Sequence, residues 1–584
     1  MRSFCRNTRE LALASLVAGV SFVAPATAPA QTGALPQTPP PAIITIKDAV
    51  TSPLQIPTAV AVTGVGDPLL APVPGTAAST PADPAACAPA TCDPPPSVWS
   101  KVPPPITFPR LGAFFILPTG PGYYSFKDVL FGEYREKPPV YPWPPFCLDV
   151  VPFFDNNFRY LDDPNNTQFD WVDPIKRIHV GDNWLLSLGG EERIRFSDEI
   201  GSRLSGKNNV FEAERTRLYG DLWFRDLFRL YVEYEDVESF SEQLPPSPTD
   251  INKSDLLNFF IDVKVFELNG QPAYVRGGRQ ELNFGSQRLV SQTDFPNSPR
   301  NFDGIKGFWH SDKVEVDAFW TRPVVINPDD FDSENDKATF AGLWTKFRPT
   351  KTQSVDLYYL YLDNATPIAT PATAPAGRRG FDVDTFGARY VGDYNHLVWD
   401  FEGMYQFGQH TFQSTSAGAA TTGVGLHFAE LPFNPIFWIY YDYASGSHDP
   451  GHGDYGTFNQ LFPNGHNYFG WTDLVGRQNI DDLNFQTWFF PTKWIAMGAQ
   501  YHILRLDAAK DALYNAAGAV ERVDPTGKAG TDVGNVITGV VNFHLSMHSD
   551  LMLQYSRFDS GSFIKNTGPG LSPDFFYLQY TFRW

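Results

Sequence analysis

Arginines recur at two-residue spacing in this chain, as Arg193 and Arg195 in GGEERIRF and as Arg215 and Arg217 in AERTRLYG. On a β-strand that spacing puts both side chains on one face. In the first segment the face lies opposite Ile194 and Phe196, and in the second opposite Leu218 and Leu222. In RGGRQELNFG, Arg279, Glu281 and Asn283 share a side opposite Leu282 and Phe284, and Arg288 lies just beyond. Arg276 has the other parity unless Gly277-Gly278 introduces a bulge. A guanidinium stays charged and grips a carboxylate through two parallel hydrogen bonds. Arginines spread along one face therefore suit binding of carboxylates at several successive points. They equally suit ion pairs across neighbouring strands with Glu191, Asp221, Glu233 and Glu281, which would close an interior rather than conduct.

Other chemistry is sparse. The segment SGSHDPGHGDYG carries His448, Asp449, His452 and Asp454, but a glycine-rich stretch is not helical, and no metal-ligand motif is complete. No GxSxG, HExxH or Walker A sequence occurs. The enzymatic rival is an outer-membrane lipase using His544 and a neighbouring-strand serine such as Ser556, for which no third orienting residue is evident. No cofactor is expected and no nucleic-acid partner. Cys87 and Cys92 could close a small loop; with Cys147 the exported chain has an odd number, which rules out a complete disulfide framework.

The elements that must position these side chains are strands. The closing segment FFYLQYTFRW sets Phe576, Leu578, Tyr580, Phe582 and Trp584 against Tyr577, Gln579, Thr581 and Arg583. FRLYVEYEDV sets Phe228, Leu230, Val232 and Tyr234 against Arg229, Tyr231, Glu233 and Glu235, and KVEVDAFW alternates likewise. About 18 such runs follow residue 180, several meeting the 9 to 11 residues of a tilted transmembrane strand. Very short connections (Arg225-Asp226, Asn269-Gly270, Pro349 to Lys351) alternate strictly with long polar ones: EQLPPSPTDIN, INPDDFDSENDK, NATPIATPATAPAGRRG, Ser445 to Asn479, and Asp507 to Asp532. An up-and-down barrel in a membrane sorts its connections in this way. Mean hydropathy is -0.26, and no run of 20 apolar residues follows the N-terminus, which argues against a helical membrane protein. The sequence thus predicts an all-β fold: a large antiparallel transmembrane barrel of about 18 strands.

At the N-terminus, Arg2, Arg6 and Arg9 precede an apolar stretch, Leu11 to Val23, and a small-residue cleavage site at Ala28-Pro29-Ala30. Residues 1–30 read as a signal peptide and 31–105 as a disordered Pro/Ala-rich linker. Residues 106–156 are an aromatic and Pro-rich segment without an assigned role, and 157–584 the barrel. Removing residues 1–30 reduces 45 basic and 65 acidic residues to 42 and 64, a net charge of -22. A polyanion avoids so acidic a surface, although loop acids beyond a Debye length of about 8 Å are screened.

The stretch TFNQLFPNGHNYFGWTDLVGRQNI (457–480) resembles the long-loop signature of the alginate export family of outer-membrane porins. YLDDPNN with FDWVDPIKRI, DNWLLSLGGEERIRF, VFEAERTRLYGDLWF, and YVRGGRQELNFGSQRLV with NFDGIKGFW resemble the family in order from Asn157 to Trp584. The resemblance implies an 18-stranded barrel and passive export of an anionic, alginate-like polysaccharide through a basic constriction. The match to the family's recurrent GRQEL segment singles out Arg279 within a pathway of Arg193, Arg195, Arg215, Arg217, Arg279 and Arg288. The expected partners are the polysaccharide, outer-membrane lipid and a periplasmic protein docking the Pro-rich arm. The barrel is expected to be monomeric with both termini periplasmic. The alternatives are a general or sugar-selective porin, and a surface scaffold whose bore the Ser445 to Asn479 loop plugs.

Overall fold

The computed structural model describes residues 152–156, 158–162, 170–366, 380–428, 431–492, 495–546 and 548–584. The expected signal peptide and linker, the 106–156 segment up to residue 151, and Cys87, Cys92 and Cys147 lie outside the described residues.

Eighteen antiparallel strands form one sheet that closes on itself. They are β1 (Trp184–Ser202), β2 (Lys207–Phe224), β3 (Phe228–Phe240), β4 (Asn252–Leu268), β5 (Gln271–Gln280) and β6 (Phe302–His310). There follow β7 (Val314–Val325), β8 (Ala338–Thr350), β9 (Gln353–Asn364), β10 (Phe381–Tyr394), β11 (Leu397–His410) and β12 (Gln413–His427). The circuit ends with β13 (Ile436–Ala444), β14 (Ile480–Thr492), β15 (Ile495–Arg505), β16 (Asp532–His544), β17 (Ser549–Ser560) and β18 (Asp574–Arg583). Each strand pairs with its chain neighbour, and β1 pairs with β18 from Glu191 opposite Arg583 to Ile200 opposite Asp574. Two further short strands, Ile178–Val180 and Ser333–Glu334, extend the sheet at the rim. Closure removes the unpaired edges that an open sheet of this size would expose.

Period-two alternation decides which face is which. Ile194, Leu218 and Phe259 are 42%, 45% and 47% exposed on the outer surface, while the arginines between them are buried inside. An outer apolar face on a closed sheet is stable against hydrocarbon, where every backbone amide and carbonyl has a ladder partner. Among the described residues no helix is long and apolar enough to cross a membrane, and the strands serve that purpose. Tight hairpins close one end of the barrel. In the β4–β5 turn Asn269 and Gly270 both take positive φ, 52° and 75°, which matches the right-handed twist of the strands they join.

The strict short-long alternation of connections needs correction. At the long-loop end β1–β2 and β11–β12 turn through only 203–206 and 411–412, and one connection at the other end, 428–435, is longer than a tight turn. A larger correction concerns RGGRQELNFG. Strand β5 stops at Gln280, and the Glu281 amide donates to the Asn258 side chain at 2.9 Å instead of continuing the ladder. Residues 281–301 then fold into the barrel and are buried along almost their whole length. Leu282 and Phe284 join an apolar cluster inside the lumen rather than facing lipid.

Residues 445–479 also turn inward. Their Phe462 amide donates to Leu289 O and its carbonyl accepts from Ser291 N, both at 2.9 Å, so the two inward loops are bonded backbone to backbone. Phe458, Phe462, Tyr468, Phe469 and Trp471 pack there with Leu289, Val290 and Phe295. Each such ring contributes about 1.5–3 kcal/mol by leaving water, which offsets the ordering of long loops.

Candidate functional site

The inner faces of β1, β2 and β3 carry an ionic layer. Strand register sets Glu191 opposite Arg217 and Arg193 opposite Arg215. Glu191 accepts from Arg215 Nε at 2.9 Å and from Arg583 Nε at 2.8 Å, across the seam between first and last strands. Arg217 Nε donates to Glu233 at 2.7 Å, and its Nη2 lies 3.6 Å from Glu281. Arg193, Arg195, Arg215 and Arg217 are at most 4% exposed.

The inward loop 281–301 lies on this layer. Arg195 Nη2 donates to Phe295 O at 2.6 Å, Arg193 Nη2 to Pro296 O at 2.7 Å, and Arg215 Nη1 to Asp294 O at 3.1 Å. The Asp294 carboxylate accepts from Arg215 Nη2 at 2.6 Å and sits 3.5 Å from Arg217 Nη1. Asn297 fastens the loop to the wall by donating to Glu214 O and Glu238 O, both at 2.9 Å. The four arginines differ in partner. Arg215 and Arg217 hold wall carboxylates, whereas Arg193 reaches a carboxylate, Asp294, at 3.8 Å, and Arg195 makes no ion pair among the described residues. Guanidinium donors whose acceptors are mainly loop carbonyls can exchange those acceptors for other oxygens when the loop moves.

Arg288 is not a strand residue. It extends from the inward loop to β11, donating to Asp400 at 2.7 Å and Glu402 at 2.8 Å, while Arg389 of β10 takes the other Asp400 oxygen at 2.7 Å. The parity expected around Gly277-Gly278 is inverted. Arg276 faces the lumen, with Asp262 at 2.7 Å and its guanidinium 3.6 Å above the Phe260 ring. Arg279 pairs across the strands with Phe259, an outward position, and binds at the rim to Asp303, Asp255 and the Asp332 carbonyl. The ladder runs without a break through Gly278, where at φ 128° a Cβ would lie 2.3 Å from Phe259 O. Beside Arg279, burial and the neighbouring Asp255 carboxylate push the Asp332 carboxyl up to about 6.

Three functional groups escaped sequence reasoning. Arg229 is bonded to Asp221 at 2.7 Å, and its inward parity was already legible in FRLYVEYEDV. Asp294 carried no periodic signal. Phe153 and Phe154 belong to a short turn ahead of the barrel, Phe153–Asp155, that inserts among Tyr219, Tyr231 and Phe260 inside the lumen. A Phe-Phe pair in an irregular, Pro-rich stretch offers no period from which to place it.

The lesser candidates do not assemble. Ser556 pairs in register with Thr538, six residues along β16 from His544, which is roughly 20 Å at 3.3 Å per residue. The His544 side chain itself lies outside the described residues. His448, Asp449 and His452 are exposed, and among the described residues no group of three or more His, Cys, Asp or Glu could hold a metal ion.

A closed antiparallel barrel with an apolar exterior and a charged, loop-filled interior defines an outer-membrane β-barrel of the porin type. The family model described as alginate export matches residues 184–577, and the chain belongs to that family. No curated protein matches the chain. Among solved structures it is similar to OccD3 (OpdP) of Pseudomonas aeruginosa, at 12% identity over 68% of this chain and 91% of that one, with a TM-score of 0.46. It is likewise similar to OccAB2 of Acinetobacter baumannii (9%, 68% and 98%, 0.47) and to the outer membrane protein OprD of Pseudomonas aeruginosa (10%, 68% and 93%, 0.44).

Proposed function

We propose that this barrel exports an anionic, alginate-like polysaccharide passively across the outer membrane, with both termini on the periplasmic side. The observation that carries the reading is the bonding of Arg193 and Arg195. In a chain of the alginate export family, they direct their donors at loop carbonyl oxygens while the neighbouring arginines are held by carboxylates of the wall. Lifting residues 291–297 would present these donors to the bore, where uronate carboxylates can take the place of the carbonyls. Several sites of moderate strength let a polymer bind and keep moving. Arg215, Arg217 and Arg288 then serve chiefly to hold the loop and wall in register, and Arg279 to hold the rim. The barrel acts as a monomer, and the Pro-rich arm ahead of it reaches a periplasmic partner.

The test is a planar-bilayer measurement of ion selectivity with and without polyuronate, on the unmodified chain and on Arg193→Ala/Arg195→Ala. Anion preference that falls in the variant, together with weaker polymer block, is the expected result. Cation preference with indifference to the polymer overturns the reading.

A second reading rests on the inward loops 281–301 and 445–479, which pack the interior. It takes the barrel as a plugged surface scaffold. Such a barrel would be silent in the bilayer at every voltage.

A further inference from the structure

The geometry points to a divalent-cation site of the Ca2+ type where β3, β4, the rim loop 326–337 and the inward loop 281–301 meet, with Glu235, Asn252, Asp332 and Ser298 supplying the oxygens. Its ligand set is two carboxylates, one amide and one hydroxyl, and it stands whether or not the bore passes a polyanion.

Burial and charge single the place out. The four side chains come from four separate stretches of the chain and are at most 8% exposed. Neither Glu235 nor Asp332 forms an ion pair among the described residues. The guanidinium that borders them, Arg279, is directed at Asp303 and Asp255, at 2.9 and 3.3 Å, and gives Asp332 only a bond to its backbone carbonyl, at 2.9 Å. Carboxylates shut away from water are ordinarily paired with a cation or bound to a metal.

Between the two carboxylates stands the side-chain nitrogen of Asn252. It lies 2.9 Å from Asp332 Oδ2, 3.0 Å from Glu235 Oε1 and 3.3 Å from Ser298 Oγ, three acceptors for the two protons of a primary amide. Ser298 Oγ in turn donates to Glu235 Oε1 at 2.8 Å. Asn252 Oδ1 and Glu235 Oε2 are buried with no hydrogen-bond partner at all. The amide nitrogen thus holds the position of a cation among these oxygens, and leaves two acceptors of the same cluster unused.

Half a turn of the amide, whose two ends have nearly the same shape, puts Oδ1 where the nitrogen stands. Four oxygens then surround one point with neighbouring separations of 2.8–3.3 Å. Oxygens at about 2.4 Å from a central Ca2+ stand about 2.8–3.4 Å apart, and Glu235 Oε2 adds a fifth ligand through a bidentate carboxylate. Mg2+ gives up its waters reluctantly, so a pocket this enclosed favours the larger ion. Bound there, the cation ties the rim loop to the wall and holds the inward loop through Ser298, the residue after 291–297. This last consequence alone rests on the lifting of 291–297 proposed above: a divalent cation on the long-loop side becomes a signal that keeps Arg193 and Arg195 covered.

The experiment is equilibrium dialysis of the full chain, in detergent and stripped with EDTA, against radiolabelled Ca2+, with Mg2+ as competitor. One Ca2+ per chain is expected, with half-saturation at about 0.1–1 mM and little displacement by an equal concentration of Mg2+. Glu235→Gln and Asp332→Asn each weaken binding about tenfold or more, since each removes a charged ligand. Asp329→Asn, exposed on the same rim loop, leaves it unchanged. Asn252→Asp presents an oxygen in either orientation together with a further charge, so it tightens binding, a gain that a misfolded barrel cannot give. Amide hydrogen exchange in 326–337 slows on addition of Ca2+ to the unmodified chain and not to Glu235→Gln. Absence of saturable binding below about 10 mM, binding that both carboxylate variants retain in full, or equal affinity for Mg2+ overturns the site. Binding as described, with a bilayer conductance that Ca2+ does not lower, upholds the site and overturns its hold on residues 291–297.

Discussion

Arg217 shows what a buried lumen charge does for this fold. It holds Glu233 at 2.7 Å and approaches Glu281 and Asp294, all of them shielded from water. Such a layer is close to neutral in net stability, because desolvation cancels most of the attraction, but removing one member strands the rest. Arg217→Ala should therefore cost about 3–5 kcal/mol in a denaturant-unfolding measurement in detergent, whereas exposed Arg557→Ala should cost under about 1 kcal/mol. Packing sets a second limit at this scale. Gly498 of β15 lies under the Trp488 indole of β14, where a Cβ would fall 1.7 Å from a ring carbon. Gly498→Ala should lose about 1–3 kcal/mol in the same measurement through displacement of that ring. The inward direction of Arg193, Arg195, Arg215 and Arg217 was legible because each alternates with apolar neighbours. Around Gly278 the rule failed because the side of Arg279 was read from Leu282 and Phe284, which lie beyond the end of the strand, while the pairing of β4 with β5, unbroken through Gly278, keeps Arg276 inward and Arg279 outward.

Strands and tight turns could be read from sequence for a simple reason: lipid on one side and polar lumen on the other enforce period two over ten or more residues. The inward loop could not. Leu282 and Phe284 repeat the alternation of a strand, and only the tertiary structure shows their apolar face turned to a core of other loops. The rim loop 326–337 carries a pH dependence of its own. Its Asp332 carboxyl accepts from Asn252 at 2.9 Å and from the Asn327 amide at 2.7 Å, and burial holds it up to about 6, against about 3.9 in an unfolded chain. A raised carboxyl binds its proton more tightly when packed, so this contribution is complete below about pH 4 and is lost as pH rises through 6. Amide hydrogen exchange in residues 326–337 should accordingly be faster at pH 8 than at pH 5 once the intrinsic pH effect is removed, and Asp332→Asn should flatten that difference.

At the scale of the molecule, the acidic balance and the buried arginines act over different distances. Asp329, Asp330 and Asp336 are exposed on the rim loop, where solvent ions screen them, while Arg193 and Arg195 are enclosed by protein. Screening lengths are about 30 Å at 0.01 M salt and about 3 Å at 1 M. The exposed acids thus repel an approaching anion across the mouth in dilute salt and are nearly silent in concentrated salt. Neutralising them as Asp329→Asn/Asp330→Asn/Asp336→Asn should raise the chloride-over-potassium permeability ratio in reversal-potential measurements at 0.01 M and leave it unchanged at 1 M. Arg193→Ala/Arg195→Ala should lower the ratio at both, because charges in a low-dielectric lumen are screened far less. An equal response of the rim variant at both salt concentrations would mean that these acids act on ions from within the bore, and the opposition of the chain's net charge of -20 to polyanion export would then stand. A response confined to dilute salt removes that opposition, since a strongly acidic barrel can then pass a polyanion wherever the surrounding salt shortens the reach of its surface.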